Sequence, residues 1–279
     1  PDGSEAKQVS LPGGSPRGIA WMRDGTHLFF GDYNSRFGFL IDLPTGAQRE
    51  RVRNEPLRPS VSPDGAWVLF NDPDSGGISI ANPDGSPLPD GSSFQVVSPD
   101  PSFYYDASPT WAPDSIRFAY LSTNDGAGGD LECPEVWVGG IDGRAAVQIT
   151  RFDAEPDGAM GCPESVRWSP TGDTILMRML GKPTFVAENL YRVEADGSGL
   201  AALTNGEPIF DPEASTYGVL GASYAADWSP DGEHIAFIMG DGTGYRLYVM
   251  NADGTQVTEV TGAPLGITTS LVSIRWALG

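Results

Sequence analysis

The sequence predicts an all-β fold built from repeated four-stranded antiparallel sheets. Three observations lead to this prediction. Glycine (36) and proline (24) are abundant in the 279 residues, and they separate short apolar runs, which is the composition of a chain with many tight turns. A strand–turn–strand stretch recurs along the chain. A second tight turn recurs after each of its copies.

The first recurring stretch is represented by "WSPDGEHIAF", which begins at Trp228. In its turn, Pro presets φ, Asp bonds back to the backbone and Gly accepts positive φ. We call the residue that begins each copy its anchor; the anchors are Trp21, Val61, Trp111, Trp168, Trp228 and, at the end of the chain, Trp276. Their spacings of 40, 50, 57, 60 and 48 residues fit a four-stranded unit with loops of variable length.

Each unit is interpreted as four strands, A to D. In the fifth unit they are "SYAADWS", "HIAFIM", "RLYVM" and "QVTEVT", and the turn between C and D is Asn251–Gly254. Matching C–D turns begin at Leu43, Asn82, Gly140 and Glu194. Because successive antiparallel strands alternate in direction, the A–B and C–D turns share one end of each sheet, here called the turn end. The B–C and D–A loops share the other, here called the loop end.

These units predict a single domain over residues 1–279, arranged as a six-position β-propeller with five complete blades. The predicted blades are 15–53, 56–98, 106–150, 164–204 and 222–261, with a split blade formed by 1–11 and 269–279. A radial array is expected to close because an open sheet edge invites aggregation. Strands B and C of the sixth position have no counterpart in the sequence, so a five-bladed ring with odd ends is the alternative. The chain begins without Met and is expected to be a mature or trimmed product.

A family resemblance rests on the same residues. "WSPDGEHIAF" with the later "RLYVMNADGTQVTEVT" resembles the repeat of TolB-type β-propellers, relatives of the WD-repeat proteins. The resemblance implies a propeller fold and a role as a periplasmic interaction module, a substrate-gating domain of a peptidase or part of a secreted protein. The sequence contains no Gly-x-Ser-x-Gly hydrolase motif, so a fused serine hydrolase is not expected.

The charge of the chain limits its partners. The formal net charge is −20, which repels nucleic-acid phosphates and anionic membrane surfaces. No apolar run is long enough to predict membrane insertion. The expected partners are a protein, a peptide or a glycan, without nucleic acid.

Nearly all long insertions are predicted at the loop end, in residues 99–107, 122–135, 151–164 and 205–222. Long loops on a rigid scaffold are common sites of binding. The predicted binding face is Phe103, Tyr104, Tyr105, Asp106, Phe152, Phe210, Asp211 and Tyr217. The alternative is that these aromatic residues pack the loops onto the sheets, and that the loops vary neutrally.

The two cysteines, Cys133 and Cys162, lie in neighbouring loop-end insertions, and each is followed by Pro and Glu. They predict one disulfide and an extracytoplasmic location, whether periplasmic, secreted or at the cell surface. Two free thiols are the alternative.

Acidic residues in the same loops raise the hypothesis of a Ca²⁺ site. The candidate ligands are Asp125, Asp130, Glu132, Asp153 and Asp157. Calcium prefers several oxygen ligands, but the spacing does not match an EF-hand, and solvated loop acids are the alternative. No other cofactor is predicted.

The two histidines are not predicted to be catalytic. His27 and His234 each lie six residues after an anchor, where other units hold Trp67, Arg117 and Thr174. Such variation is typical of a solvent-facing position at the start of strand B.

The predicted function is an extracytoplasmic binding or assembly module whose loop end holds the partner, without catalysis. One alternative is a carboxylate-based hydrolase or lyase using Asp106, Glu164 or Asp211. Another is a structural subunit whose split blade is completed by a strand from another chain.

Overall fold

The computed structural model describes residues 16–32, 37–53, 57–72, 77–92, 95–99, 109–124, 130–142, 145–152, 161–180, 188–205, 207–211, 216–220, 223–240, 244–262 and 265. These residues form two compact units, Pro1–Phe103 and Tyr104–Gly279. No helix long and apolar enough to cross a membrane occurs in the part of the chain that is described.

The first unit contains two four-stranded antiparallel sheets, each in the order A–B–C–D. The strands of the first sheet are β1 (Pro16–Trp21), β2 (His27–Asp32), β3 (Phe37–Asp42) and β4 (Gln48–Arg53). The strands of the second sheet are β5 (Leu57–Val61), β6 (Val68–Asp72), β7 (Gly77–Ala81) and β8 (Gln95–Pro99).

The second unit contains three more such sheets and one separate hairpin. The third sheet is β9 (Thr110–Trp111), β10 (Arg117–Asn124), β11 (Asp130–Gly140) and β12 (Val147–Gln148). The fourth sheet is β13 (Cys162–Trp168), β14 (Thr174–Leu180), β15 (Glu188–Glu194) and β16 (Ala201–Ala202). The hairpin is β17 (Glu207–Asp211) and β18 (Thr216–Leu220), and the fifth sheet is β19 (Ser223–Trp228), β20 (His234–Gly240), β21 (Tyr245–Asn251) and β22 (Thr258–Glu259).

The recurring turn sets the same register in every sheet. Each of the five anchors from Trp21 to Trp228 pairs with the residue seven positions later, as in Trp168 with Ile175 and Trp228 with Ile235. The sixth anchor, Trp276, lies outside the described residues. In the fifth sheet the Ser229 hydroxyl donates to Asp231 Oδ1 at 2.5 Å. These are short-range contacts, which explains why the turns could be located from the sequence.

Strand B of the fourth sheet is buried on both faces because it lies between two neighbouring sheets. Ile175 and Met177 pack into a core shared with the third sheet, while Leu176 packs into a core with Trp228 of the fifth sheet. Alternation with period two therefore assigns successive side chains of one strand to different cores.

Glycines in the turns bring neighbouring sheets close together. Gly197 has φ +88°, and a Cβ at this position would lie 2.7 Å from the Ile149 carbonyl oxygen of the third sheet. Gly254 has φ +87°, and a Cβ there would lie 3.1 Å from Leu203 of the fourth sheet. Glycine is needed at both positions for its positive φ and for the close approach.

The anchor tryptophans of the third, fourth and fifth sheets are buried, whereas that of the first sheet is exposed. Trp168 and Trp228 pack against residues of the neighbouring sheet and are 6% and 5% exposed. Trp111 is 6% exposed and lies edge to face against Phe118 of its own sheet. Trp21 differs, since it is 60% exposed.

The described residues do not show the expected six blade positions. The described residues form five four-stranded sheets, whose limits lie within four residues of the predicted blades. The predicted split blade falls on residues 1–11 and 269–279, which lie outside the described residues. Every described strand outside the β17–β18 hairpin belongs to one of these five sheets. The described residues therefore contain no strands of a sixth four-stranded sheet. The single-domain organisation stays a prediction.

Two predicted loops contain strands instead. Residues 122–135 were expected as a loop, but β10 continues to Asn124 and β11 starts at Asp130. Residues 205–222 were also expected as a loop, and they contain the β17–β18 hairpin. In both segments backbone pairing across the chain reversal extends the β-structure beyond what the local composition indicated.

Candidate functional site

Features that recur in several sheets have a structural explanation, so candidate functional residues are those that break the repeat. One recurring feature, a Thr hydroxyl that bonds strand D to strand C, explains why Glu135 is buried. The Thr150 hydroxyl accepts a bond from the Val136 amide at 2.8 Å and donates to Glu135 Oε2 at 2.5 Å. Thr204 accepts the same bond from the Leu190 amide at 2.9 Å in the next sheet. Glu135, although 1% exposed, therefore belongs to a repeated latch between strands C and D.

A bulge in strand A is a second recurring feature. In β13, Pro163 opposes Met179 and Ser165 opposes Arg178, so Glu164 is one extra residue without a cross-strand partner. Equivalent register shifts occur in β1, β5 and β19. A bulge redirects a side chain, and bulges often lie beside functional sites.

In the fourth sheet the bulge residue forms an ion pair that has no equivalent in the other described sheets. Glu164 Oε2 forms a close ion pair with Arg178 Nη2, and the two side chains are 27% and 19% exposed. Arg178 lies ten residues after its anchor, a position that holds Gly31, Asn71, Leu121 and Ile238 in the other sheets. The pair is thus specific to the fourth sheet.

The predicted disulfide is confirmed and lies beside this pair in the chain. Cys133 of β11 and Cys162 of β13 are joined, with their Cα atoms 5.0 Å apart. Their exposures are 1% and 6%. The bond links strand C of the third sheet to strand A of the fourth at their loop ends, and Glu164 follows Cys162 by two residues.

The β17–β18 hairpin brings two predicted binding residues together. Phe210 is directly opposite Tyr217, and Asp211 is opposite Thr216. Pro208 is opposite Val219 in the same ladder. This register could not be derived from the sequence, because the segment was interpreted as a loop.

The other predicted binding residues are placed as follows. Phe152 is 3% exposed and packs in the core between the third and fourth sheets, which matches the packing alternative for the loop aromatics. Phe103, Tyr104, Tyr105 and Asp106 lie outside the described residues. Of the three acids considered for hydrolase or lyase chemistry, Glu164 is engaged by Arg178, and Asp211 is placed by its backbone in β17.

The proposed calcium ligands are not assembled in the described part of the chain. Asp125, Asp153 and Asp157 lie outside it, and Asp130 and Glu132 are placed only by the backbone of β11. The described residues instead group three potential metal ligands at the turn end of the fifth sheet: Asp231, Glu233 and His234. The sequence-based treatment of His234 missed this group, since it considered the histidine alone and not the two acids of the preceding turn.

The comparisons with known proteins identify the fold. No protein-family model matches the chain, and no curated protein sequence matches it. A protein assigned as TolB from Agrobacterium tumefaciens is similar in structure, with a TM-score of 0.63 and 18% identity over 90% of this chain and 82% of that one. TolB from Acinetobacter baumannii gives a TM-score of 0.61 and 18% identity over 91% of this chain and 56% of that one.

A structure of a nidogen/laminin complex also matches, with a TM-score of 0.61 and 13% identity over 92% of this chain and 83% of the matched chain. At these identities the likeness defines the fold alone. The chain is an all-β propeller protein, and the resemblance to TolB-type propellers is confirmed at the level of structure.

Proposed function

We propose that the protein is an extracytoplasmic binding module that holds a protein or peptide partner at the loop end of its second unit. One observation carries this proposal. The disulfide, the Glu164–Arg178 pair and the β17–β18 hairpin depart from the repeat, and all three belong to the loop-end connections of the third to fifth sheets. A rigid scaffold with varied loops at one end is a common design for recognition.

The charge of these connections indicates the chemistry of the partner. In the long connections 122–135, 151–164 and 205–222, Arg151 is the single basic residue, and the shorter B–C connection of the fourth sheet contains Lys182. The acidic residues of the three long connections are Asp125, Asp130, Glu132, Glu135, Asp153, Glu155, Asp157, Glu164, Glu207, Asp211 and Glu213. A negative field of this kind favours a Lys- or Arg-containing segment and would accelerate its association at low salt.

The proposal also includes the cellular location of the protein and the arrangement of its two chain ends. A buried disulfide is typical of proteins that fold in oxidising compartments, and the TolB-like fold supports a periplasmic or secreted location. The shared blade of residues 1–11 and 269–279 also remains a proposal, with strand addition from another chain as its alternative.

The test is selection of peptides from a random phage-displayed library on the intact, oxidised protein. Synthetic versions of the enriched peptides are then titrated against Tyr217→Ala and against a Glu164→Ala/Arg178→Ala double variant. The control is Ile116→Ser, which changes a 42% exposed residue at the turn end of the third sheet.

We expect peptides enriched in Lys and Arg, whose affinity falls about tenfold or more in the loop-end variants and stays unchanged in the control. Binding should weaken as salt is raised. Enrichment of uncharged peptides, no enrichment above background, or loss of binding in Ile116→Ser alone would overturn the proposal.

A further inference from the structure

The turn end of the fifth sheet carries a cluster whose chemistry differs from that of the acidic loops. Asp231, Glu233 and His234 each contribute one ligand atom, and these atoms all lie within 4.8 Å of one another. Within the described ranges this is the one group of three potential metal ligands. It joins an imidazole nitrogen to two carboxylates.

The recurring turn places these three residues on a fixed backbone. Ser229 Oγ donates to Asp231 Oδ1 at 2.5 Å and accepts the His234 amide at 2.9 Å. The Glu233 amide donates to the same Asp231 oxygen at 3.0 Å. These bonds engage Oδ1 of the Asp231 carboxylate, and no described residue forms a hydrogen bond with its Oδ2.

His27 is the natural comparison because it occupies the same repeat position in the first sheet. Its Nδ1 lies 2.7 Å from Asp24 Oδ2 and its Nε2 lies 3.4 Å from Asp42 Oδ2. The two carboxylates lie against different ring nitrogens of His27, so their oxygens do not gather around one nitrogen.

His234 differs from His27 at the cross-strand position. The residue paired with His27 is Asp42, whereas the residue paired with His234 is Asn251. The Asn251 side chain donates to the Thr255 hydroxyl at 2.9 Å. No hydrogen bond to the His234 ring is formed within the part of the chain that is described, so a ring nitrogen can face the two acids.

We propose that Asp231, Glu233 and His234 form a binding site for a divalent transition-metal ion of the Zn²⁺ type. One nitrogen and two oxygen ligands suit Zn²⁺, while Ca²⁺ and Mg²⁺ prefer oxygen ligands alone. Tetrahedral Zn²⁺ with ligands at about 2.0–2.2 Å brings its ligand atoms to about 3.4 Å apart. The exposed side chain of Glu233 can rotate to close the remaining distance, and water would complete the coordination.

The net charge of the chain also favours the binding of a cation. The net charge of −20 raises the local concentration of cations.

The experiment is titration of the intact, oxidised protein with Zn²⁺ alone, followed by calorimetry and by proton NMR of the imidazole signals. The chain contains only two histidines, so two signals are expected, and each is assigned from a variant that lacks it. His234→Thr removes one ligand, and His27→Thr is the matched control. Threonine occupies this repeat position naturally as Thr174, so both variants should fold, which thermal unfolding checks.

We expect Zn²⁺ to shift the His234 signal first and to leave the His27 signal in place. His234→Thr should weaken the calorimetric affinity about tenfold or more, whereas His27→Thr should retain it. Ca²⁺ should leave both imidazole signals unchanged. An unchanged His234 signal at saturating Zn²⁺, or equal affinity in His234→Thr and the original protein, would overturn the proposal.

Discussion

Glu164 is the extra residue of the bulge in β13, and its carboxylate pairs with Arg178 on the adjacent strand β14. Both side chains are less than a third exposed. The bulge recurs in other sheets, but the ion pair does not, because Arg178 occupies a position that is uncharged elsewhere. In the fourth sheet this repeated bulge therefore also carries an ion pair, which follows the disulfide closely in the sequence.

This relationship predicts energetic coupling between Glu164 and Arg178. Removing one partner leaves a half-buried charge without its counterion, so Glu164→Gln and Arg178→Gln should each lower the free energy of unfolding by about 1–3 kcal/mol. The double variant should lose less than the sum of the two single losses. Urea unfolding of all four proteins measures this, and additive losses would show that the pair is not coupled.

The disulfide is predicted to be resistant to reduction and important for stability. Cys133 and Cys162 are 29 residues apart, and opening a loop of this size should destabilise the fold by about 3–4 kcal/mol on the chain-entropy estimate. A Cys133→Ser/Cys162→Ser variant tests this by chemical denaturation. Because both cysteines are buried, thiol titration under native conditions should detect reduction only where the fold opens; rapid reduction of the folded chain would contradict the prediction.

A glycine comparison separates backbone strain from packing. Gly46 and Gly197 occupy the C–D turns of the first and fourth sheets with φ of +73° and +88°. A Cβ on Gly46 would meet nothing within 4 Å, whereas one on Gly197 would lie 2.7 Å from a backbone oxygen. Gly46→Ala should cost about 1 kcal/mol from positive φ alone. Gly197→Ala should cost about 1–3 kcal/mol more because the fourth sheet must move away from the third.

Thermal and urea unfolding of these two variants provide the measurement. Gly46→Ala acts as the control for the strain term, since it has the same turn position and the same sign of φ. Equal losses in both variants would mean that close packing at Gly197 contributes nothing.

The acidic turns predict a dependence of stability on pH. The hydrogen bond donated by Thr171 is the leading cause that lowers the pKa of Asp173 below its ordinary value of 3.8. A pKa that is lower in the folded state stabilises the fold above pH 3.8, and this contribution is lost as the pH falls through the folded value. The stability of the protein should therefore fall on acidification from about pH 5 to pH 2.

Thr171→Val tests this contribution with little change of shape, since Val keeps the methyl group that faces Gly232. The variant should be less stable than the original protein at pH 7, and the difference should shrink toward pH 2. Denaturant unfolding at several pH values measures it. A difference that stays constant over this range would assign the effect to packing and not to ionisation of Asp173.

Much of the fold could be predicted because its information is local. Pro230, Asp231 and Gly232 specify one turn through φ preference and a short hydrogen bond. The same logic placed the five anchors from Trp21 to Trp228 and predicted the five four-stranded sheets. The pairing of Cys133 with Cys162 followed from their neighbouring loops and even number.

The tertiary structure decided what depends on contacts between distant segments. The bulge at Glu164, the Thr150 latch and the Phe210–Tyr217 pair each require a cross-strand register that local composition does not encode. The packing of the sheets likewise buries Phe152 in a core and leaves Trp21 exposed. The sequence by itself determined where the chain turns, since turns depend on single residues; the tertiary structure decided which side chains meet, since that depends on how the sheets pair and pack.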